Sequence, residues 1–135
     1  MKRVFADSWY YIALLNPRDS AHERARAFAK SWRGHVVTTR WVLAEIADGF
    51  ATDPGLRALA ARFLAHSETH PSLRVVPVNE VQFSHGLDLY RSRLDKQWSL
   101  TDCISFVVME QEGICEALSG DRHFRQAGFD PLLVE

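Results

Sequence analysis

Cysteine is nearly absent: Cys103 and Cys115 are the two in 135 residues, and both sit in apolar segments. They read as buried thiols, and no structural disulfide is implied. Long hydrophobic runs are missing too, since no stretch approaches the ~18 apolar residues of a membrane span. The opening MKRVFADSWY lacks the apolar segment and small-residue cleavage site of a secretion leader, so the expectation is a cytoplasmic protein with no membrane partner. Charge of one sign is also lacking: 16 basic and 17 acidic residues leave a net charge of −1. The global field therefore gives nucleic acid no invitation, and any polyanion binding has to come from local basic patches or a bound metal. Neither internal repeats nor low-complexity linkers occur.

What is present is an ordinary globular composition, 47% hydrophobic and 24% charged, at the length of one domain spanning residues 1–135. Val4-Phe5-Ala6 is a short apolar run ending at Asp7, after which Ser8 can cap a helix carrying Tyr11, Ile12, Leu14 and Leu15 until Asn16-Pro17. Ser20-Ala21-His22-Glu23 matches a capping box, followed by a helix running to Gly34. His35 to Thr38 reads as a second strand with a helix from Arg40, then a break at Asp53-Pro54-Gly55 and another helix over Leu56 to His66. Leu73 to Val78 is a third strand that Pro77 assigns to a sheet edge, and Val81 to Leu94 returns to helical spacing. Thr101 to Glu112 is nearly solidly apolar and stops at Gly113, as a largely covered helix would. Ile114 to Leu118 is a buried strand, Asp121 caps a short helix through Gln126, and Pro131 to Val134 is a last strand. This alternation predicts an α/β fold: a three-layer α/β/α sandwich around a central parallel sheet.

Four carboxylates then stand out: Asp7, Glu45, Asp102 and Asp121. Asp7 and Asp121 fall at the carboxyl ends of strands, where ligands gather in open α/β sheets, and Asp102 lies in the first turn of the apolar helix. An aspartate alone at any of these junctions is an ordinary helix cap. Three at one sheet edge suggest a shared cleft, and charges about 4 Å apart repel by roughly 4 kcal/mol at an intermediate dielectric, so such a cluster requires protons or cations. Hard oxygen donors with no Cys or His nearby point to Mg²⁺ or Mn²⁺. Glu45 fits less well, because it lies roughly 150° from the apolar stripe of its helix and periodicity places it in solvent.

The segments Val4-Phe5-Ala6-Asp7-Ser8, Thr39-Arg40-Trp41-Val42-Leu43-Ala44-Glu45-Ile46, Leu100-Thr101-Asp102-Cys103 and Leu118-Ser119-Gly120-Asp121-Arg122-His123-Phe124 resemble the successive signatures of PIN-domain nucleases, particularly the VapC-type toxin ribonucleases. The resemblance implies an acidic quartet of Asp7, Glu45, Asp102 and Asp121 holding Mg²⁺ or Mn²⁺, with Ser119 and Ser8 as supporting hydroxyls. It also implies metal-dependent endoribonuclease activity, an RNA substrate, a homodimer and, for a toxin, an antitoxin protein. The alternative within the same fold is a non-catalytic module that docks RNA or protein. A receiver-like phosphoacceptor domain ranks lower, because no lysine follows a late strand.

Arg40, Arg122 and His123 are candidates to meet RNA phosphates at the rim, with surface solvation an equal reading. Arg91, Arg93 and Lys96 before Trp98 could form a base-stacking platform, although an exposed helix end is the more ordinary reading. His66 and His70 have i, i+4 spacing but make only two ligands, short of a zinc site. Trp9, Trp32 and Trp41 are expected in the core or an interface.

Overall fold

The structure, a computed structural model, describes residues 2–135. Its strands are β1 (Arg3–Ala6), β2 (His35–Thr39), β3 (Leu73–Val76), β4 (Glu116–Leu118) and β5 (Asp130–Pro131). They form one parallel sheet in the order β3-β2-β1-β4-β5. The helices are α1 (Ser8–Leu15), α2 (His22–Ser31), α3 (Arg40–Gly49), α4 (Pro54–Ser67), α5 (Glu80–Ser92), α6 (Leu100–Glu112) and α7 (Arg122–Gln126). Among the described residues no helix is long and apolar enough to cross a membrane.

The chain enters at the centre of the sheet. Val4, Phe5 and Ala6 have no solvent exposure, as a strand covered on both faces requires. From β1 the path moves outward through β2 to β3, then jumps back across the sheet to β4 and β5. Right-handed crossovers travelling in opposite senses place helices on both faces, and the reversal between β1 and β4 opens a crevice at their carboxyl ends. The three-layer α/β/α expectation therefore holds. In the packing, α1 touches α2, α3 and α4, whereas α6 touches α5 and α7; α3 also reaches α6.

Local chemistry sets the element ends near that crevice. Thr39 ends β2 and caps α3, its hydroxyl accepting the Val42 N–H at 3.1 Å. Ser99 and Asp102 form a reciprocal capping box at the start of α6. At the other end Gly113 adopts φ 69°, a left-handed conformation that glycine takes without steric cost, and Ile114 N–H closes the helix on the Met109 carbonyl at 2.9 Å. Phe124 of α7 is fully buried between Phe5 and Phe106, with ring centroids 6.3 and 5.1 Å away. That anchor fixes a helix of only five residues beside the end of β4.

Several expectations are corrected. Ser20 caps nothing; Ala21 holds the N-cap position of α2, and Asp19 Oδ1 accepts the Ala21 N–H at 2.8 Å instead. The break between α3 and α4 falls over 50–53, earlier than expected; Pro54 and Gly55 already belong to α4, which Asp53 caps, its Oδ1 accepting the Leu56 N–H at 3.0 Å. The last strand is shorter than Pro131 to Val134, although Leu132 and Leu133 still donate to the Ala117 and Ser119 carbonyls. Cys103 is buried as expected, but Cys115 is exposed because it precedes β4 rather than lying within it. β3 is the edge strand and stops just before Pro77, which has no N–H to offer a ladder.

Candidate active site

Asp7 follows β1 and occupies the N-cap position of α1, yet its side chain caps nothing. Its Oδ2 instead accepts the Ser119 hydroxyl at 3.0 Å, and the residue is only 4% exposed. The ordinary reason for aspartate at this position is therefore ruled out for Asp7. The same Ser119 oxygen accepts the Asp121 N–H at 3.0 Å, so one hydroxyl ties the end of β1 to the loop after β4. Gly120 lets α1 press onto that loop: a Cβ there would lie 2.2 Å from the Trp9 ring.

Asp102 and Asp121 do serve as caps, and they also converge. Asp102 Oδ2 accepts the Ser99 N–H at 3.1 Å, while Asp121 Oδ1 accepts the His123 N–H at 2.9 Å. His123 Nδ1 lies 3.0 Å from Asp102 Oδ2 and 3.2 Å from Asp121 Oδ2. One ligand atom from each of the three falls within 4.8 Å of the others. Glu45 is half-buried and accepts the Ser8 hydroxyl. Periodicity misplaced it because the face of α3 turned from the core lines the crevice rather than open water.

Burial is the first cause of every pKa shift in this group. It lifts the Asp7 carboxyl from 3.8 to about 8, helped by the negative charges of Asp102 and Glu45 and opposed by the Ser119 hydrogen bond. Glu45 is raised by burial and by Asp102 and Asp121. Asp102 is raised by burial and Asp121, against the stabilising Ser99 amide and His123. Hydrogen bonds tie Asp7 to Asp121 through Ser119, and His123 stands between Asp102 and Asp121. A site that holds a proton on a carboxyl near neutral pH is short of positive charge, which is the condition a divalent cation satisfies. Carboxylates from four separate segments fit a hard cation chemically.

The expectation of oxygen donors without a nearby histidine is corrected, since His123 stands against two of the carboxylates. Its ring lies inside the acidic cluster rather than on an outer rim. Arg40 does not join the cluster; it is exposed and paired with Glu68 at 3.1 Å. Arg122 is exposed on the first turn of α7. Trp98 cannot be an open stacking platform, because it is 6% exposed, packs edge-on against Phe106 and donates its indole N–H to Gln126. Arg93 covers that ring and is held by both oxygens of Asp95. His66 and His70 form no metal-binding group among the described residues. Trp9 and Trp32 pack against the core as expected, whereas Trp41 is exposed beside Phe83. Sequence reading missed Ser99 as a support; the Ser99-x-x-Asp102 spacing is the signal that marks it.

Comparison with known proteins agrees with this fold. The PIN domain family matches residues 4–130. The 23S rRNA-specific endonuclease VapC20 is similar in Mycobacterium tuberculosis strains CDC 1551 / Oshkosh and ATCC 25618 / H37Rv. In each it is 29% identical over 126 residues, covering 93% of this chain and 95% of the relative. The crystal structure of M. tuberculosis VapC20, a sarcin-ricin loop cleaving toxin, superposes with a TM-score of 0.87 at 25% identity, over 96% of this chain and 98% of the other. FitAcB from Neisseria gonorrhoeae shares the fold, with a TM-score of 0.68 at 18% identity and 95% coverage of both chains. With the family matched along nearly its whole length, the chain belongs to the PIN domain family.

Proposed function

We propose that the protein is a metal-dependent endoribonuclease that hydrolyses RNA phosphodiester bonds as the toxin of a type II toxin-antitoxin pair. Asp7, Glu45, Asp102 and Asp121 are its catalytic and metal-holding residues, and Mg²⁺ or Mn²⁺ is its cofactor. The observation that supports the reading is that Asp102, Asp121 and His123 bring ligand atoms within 4.8 Å of one another, beside a buried Asp7 that Ser119 ties to Asp121. The similarity to VapC20, named for its action on 23S rRNA, supports RNA as the substrate. A cognate antitoxin, a homodimer and a cytoplasmic location belong to the same proposal.

When bound, a divalent cation supplies charge neutralisation at the phosphodiester and acidifies water for in-line attack. The chain's own residues set up that chemistry. Ser119 fixes the direction of the Asp7 carboxyl and, through the Asp121 N–H, the height of the β4 loop. The Ser99 amide holds Asp102 Oδ2 at the head of α6, and the Ser8 hydroxyl orients Glu45. In this reading Glu45 orients the attacking water or adds a ligand oxygen. Arg122, exposed on the first turn of α7, is the basic group offered to the RNA backbone, while Arg40 reaches it only by leaving Glu68.

The test is cleavage of a mixed RNA pool by purified protein with Mn²⁺, with excess chelator, and with Asp102→Asn. Cation-dependent cleavage lost in the variant is expected. Robust cleavage in chelator ends the metal-dependent reading, and absent cation binding with retained RNA or protein binding favours a docking module.

A further inference from the structure

The imidazole of His123 is the one nitrogen donor that the described residues bring to the acidic cluster. Its backbone is pinned on both sides. The Asp121 carboxylate holds its N–H at 2.9 Å, and the next residue, Phe124, is sealed in the aromatic core. Nδ1 is thereby fixed 3.0 Å from Asp102 Oδ2 and 3.2 Å from Asp121 Oδ2. Adjacent ligands in an octahedral shell with bonds of about 2.1 Å stand about 3.0 Å apart, so these spacings are those of neighbouring positions around one small divalent ion. Resting on the metal-dependent reading above, we propose that His123 Nδ1 is itself a metal ligand, sharing one divalent ion with Asp102 and Asp121. A nitrogen in the donor set raises affinity for a transition ion such as Mn²⁺ relative to Mg²⁺, because Mg²⁺ favours oxygen ligands and gives up water reluctantly.

The same spacings also suit an N–H shared between two carboxylates, and the experiment separates the two. Electron spin-echo envelope modulation of the full chain with one equivalent of Mn²⁺ reports nitrogen bonded directly to the ion. The control variant is His123→Asn, whose side-chain amide can keep a donor near the Nδ1 position without an imidazole. Circular dichroism melting checks that it folds. Expected are ¹⁴N modulation in the native protein, its loss in His123→Asn, and a drop of at least about tenfold in the preference for Mn²⁺ over Mg²⁺ by calorimetry, the lower end of what disturbing a ligand's partners costs.

Bound Mn²⁺ without ¹⁴N coupling overturns the proposal and makes His123 a hydrogen-bonding residue only. Modulation that persists in His123→Asn assigns the nitrogen to another histidine and overturns it equally. Failure to bind Mn²⁺ at all ends both this inference and the metal-dependent reading. Nitrogen coupling in a protein that cleaves no RNA leaves the ligand assignment standing and removes the nuclease.

Discussion

Replacing Asp7 by asparagine is expected to stabilise the cation-free protein above neutral pH, at the very position proposed as essential for activity. Burial pushes the Asp7 carboxyl up to about 8 in the folded chain, against 3.8 for a free aspartate. The folded value is raised, so the contribution of Asp7 to stability is fully present below pH 3.8. It is lost progressively as pH rises through about 8. At 1.36 kcal/mol for each tenfold change in proton affinity, the full loss has an upper bound on the order of 5 kcal/mol, which relaxation and water entry reduce to a few. Asparagine avoids that loss, and its side-chain oxygen can still accept the Ser119 hydroxyl. The assay is urea unfolding in chelator at pH 5 and pH 9. Wild type should be the less stable at pH 9 by about 2–4 kcal/mol, and Asp7→Asn should show a much smaller dependence. Adding Mn²⁺ at pH 8 should restore wild type far more than the variant, because the cation takes over the role of the proton. A wild-type stability that stays flat from pH 5 to pH 9, or an Asp7→Asn protein no more stable at pH 9, refutes the reasoning.

Three other substitutions probe the supports of the site. Ser119→Ala deletes the donor to Asp7 and the acceptor for the Asp121 N–H in a buried place, so urea unfolding should show a loss of about 1–3 kcal/mol. Cation affinity should fall with it, as a calorimetric titration would register. Phe124→Ala opens a cavity beneath α7 and should cost about 3–5 kcal/mol, with hydrogen exchange fastest over Arg122–Gln126. Gly120→Ala puts a Cβ 2.2 Å from the Trp9 ring, an overpacking worth about 1–3 kcal/mol. Its cleavage rate should drop while the circular dichroism spectrum stays native.

Much of this architecture is written in local patterns. The solid apolar run of α6, ended by Gly113, and the Val4-Phe5-Ala6 strand are readable because a fully covered element leaves no polar face to confuse the period. Asp7 and Asp121 are readable from their places after strands. Glu45 is not, because a helical wheel treats a face lining a crevice as it treats a face in water. The end of β5 is hidden for a related reason: apolar residues beside a short edge strand look like strand residues until the ladder is seen to stop. His123 resisted prediction as a member of the cluster because its neighbour Asp102 lies 21 positions away, and only the docking of α7 through Phe124 brings the two together.

Anomalous scattering from crystals grown with Mn²⁺ tests the central assignment most directly. A peak bonded to carboxylate oxygens of the Asp7, Asp102 and Asp121 cluster is the predicted result. A structure in Mn²⁺ with no peak there, and those side chains in the same arrangement, would contradict it.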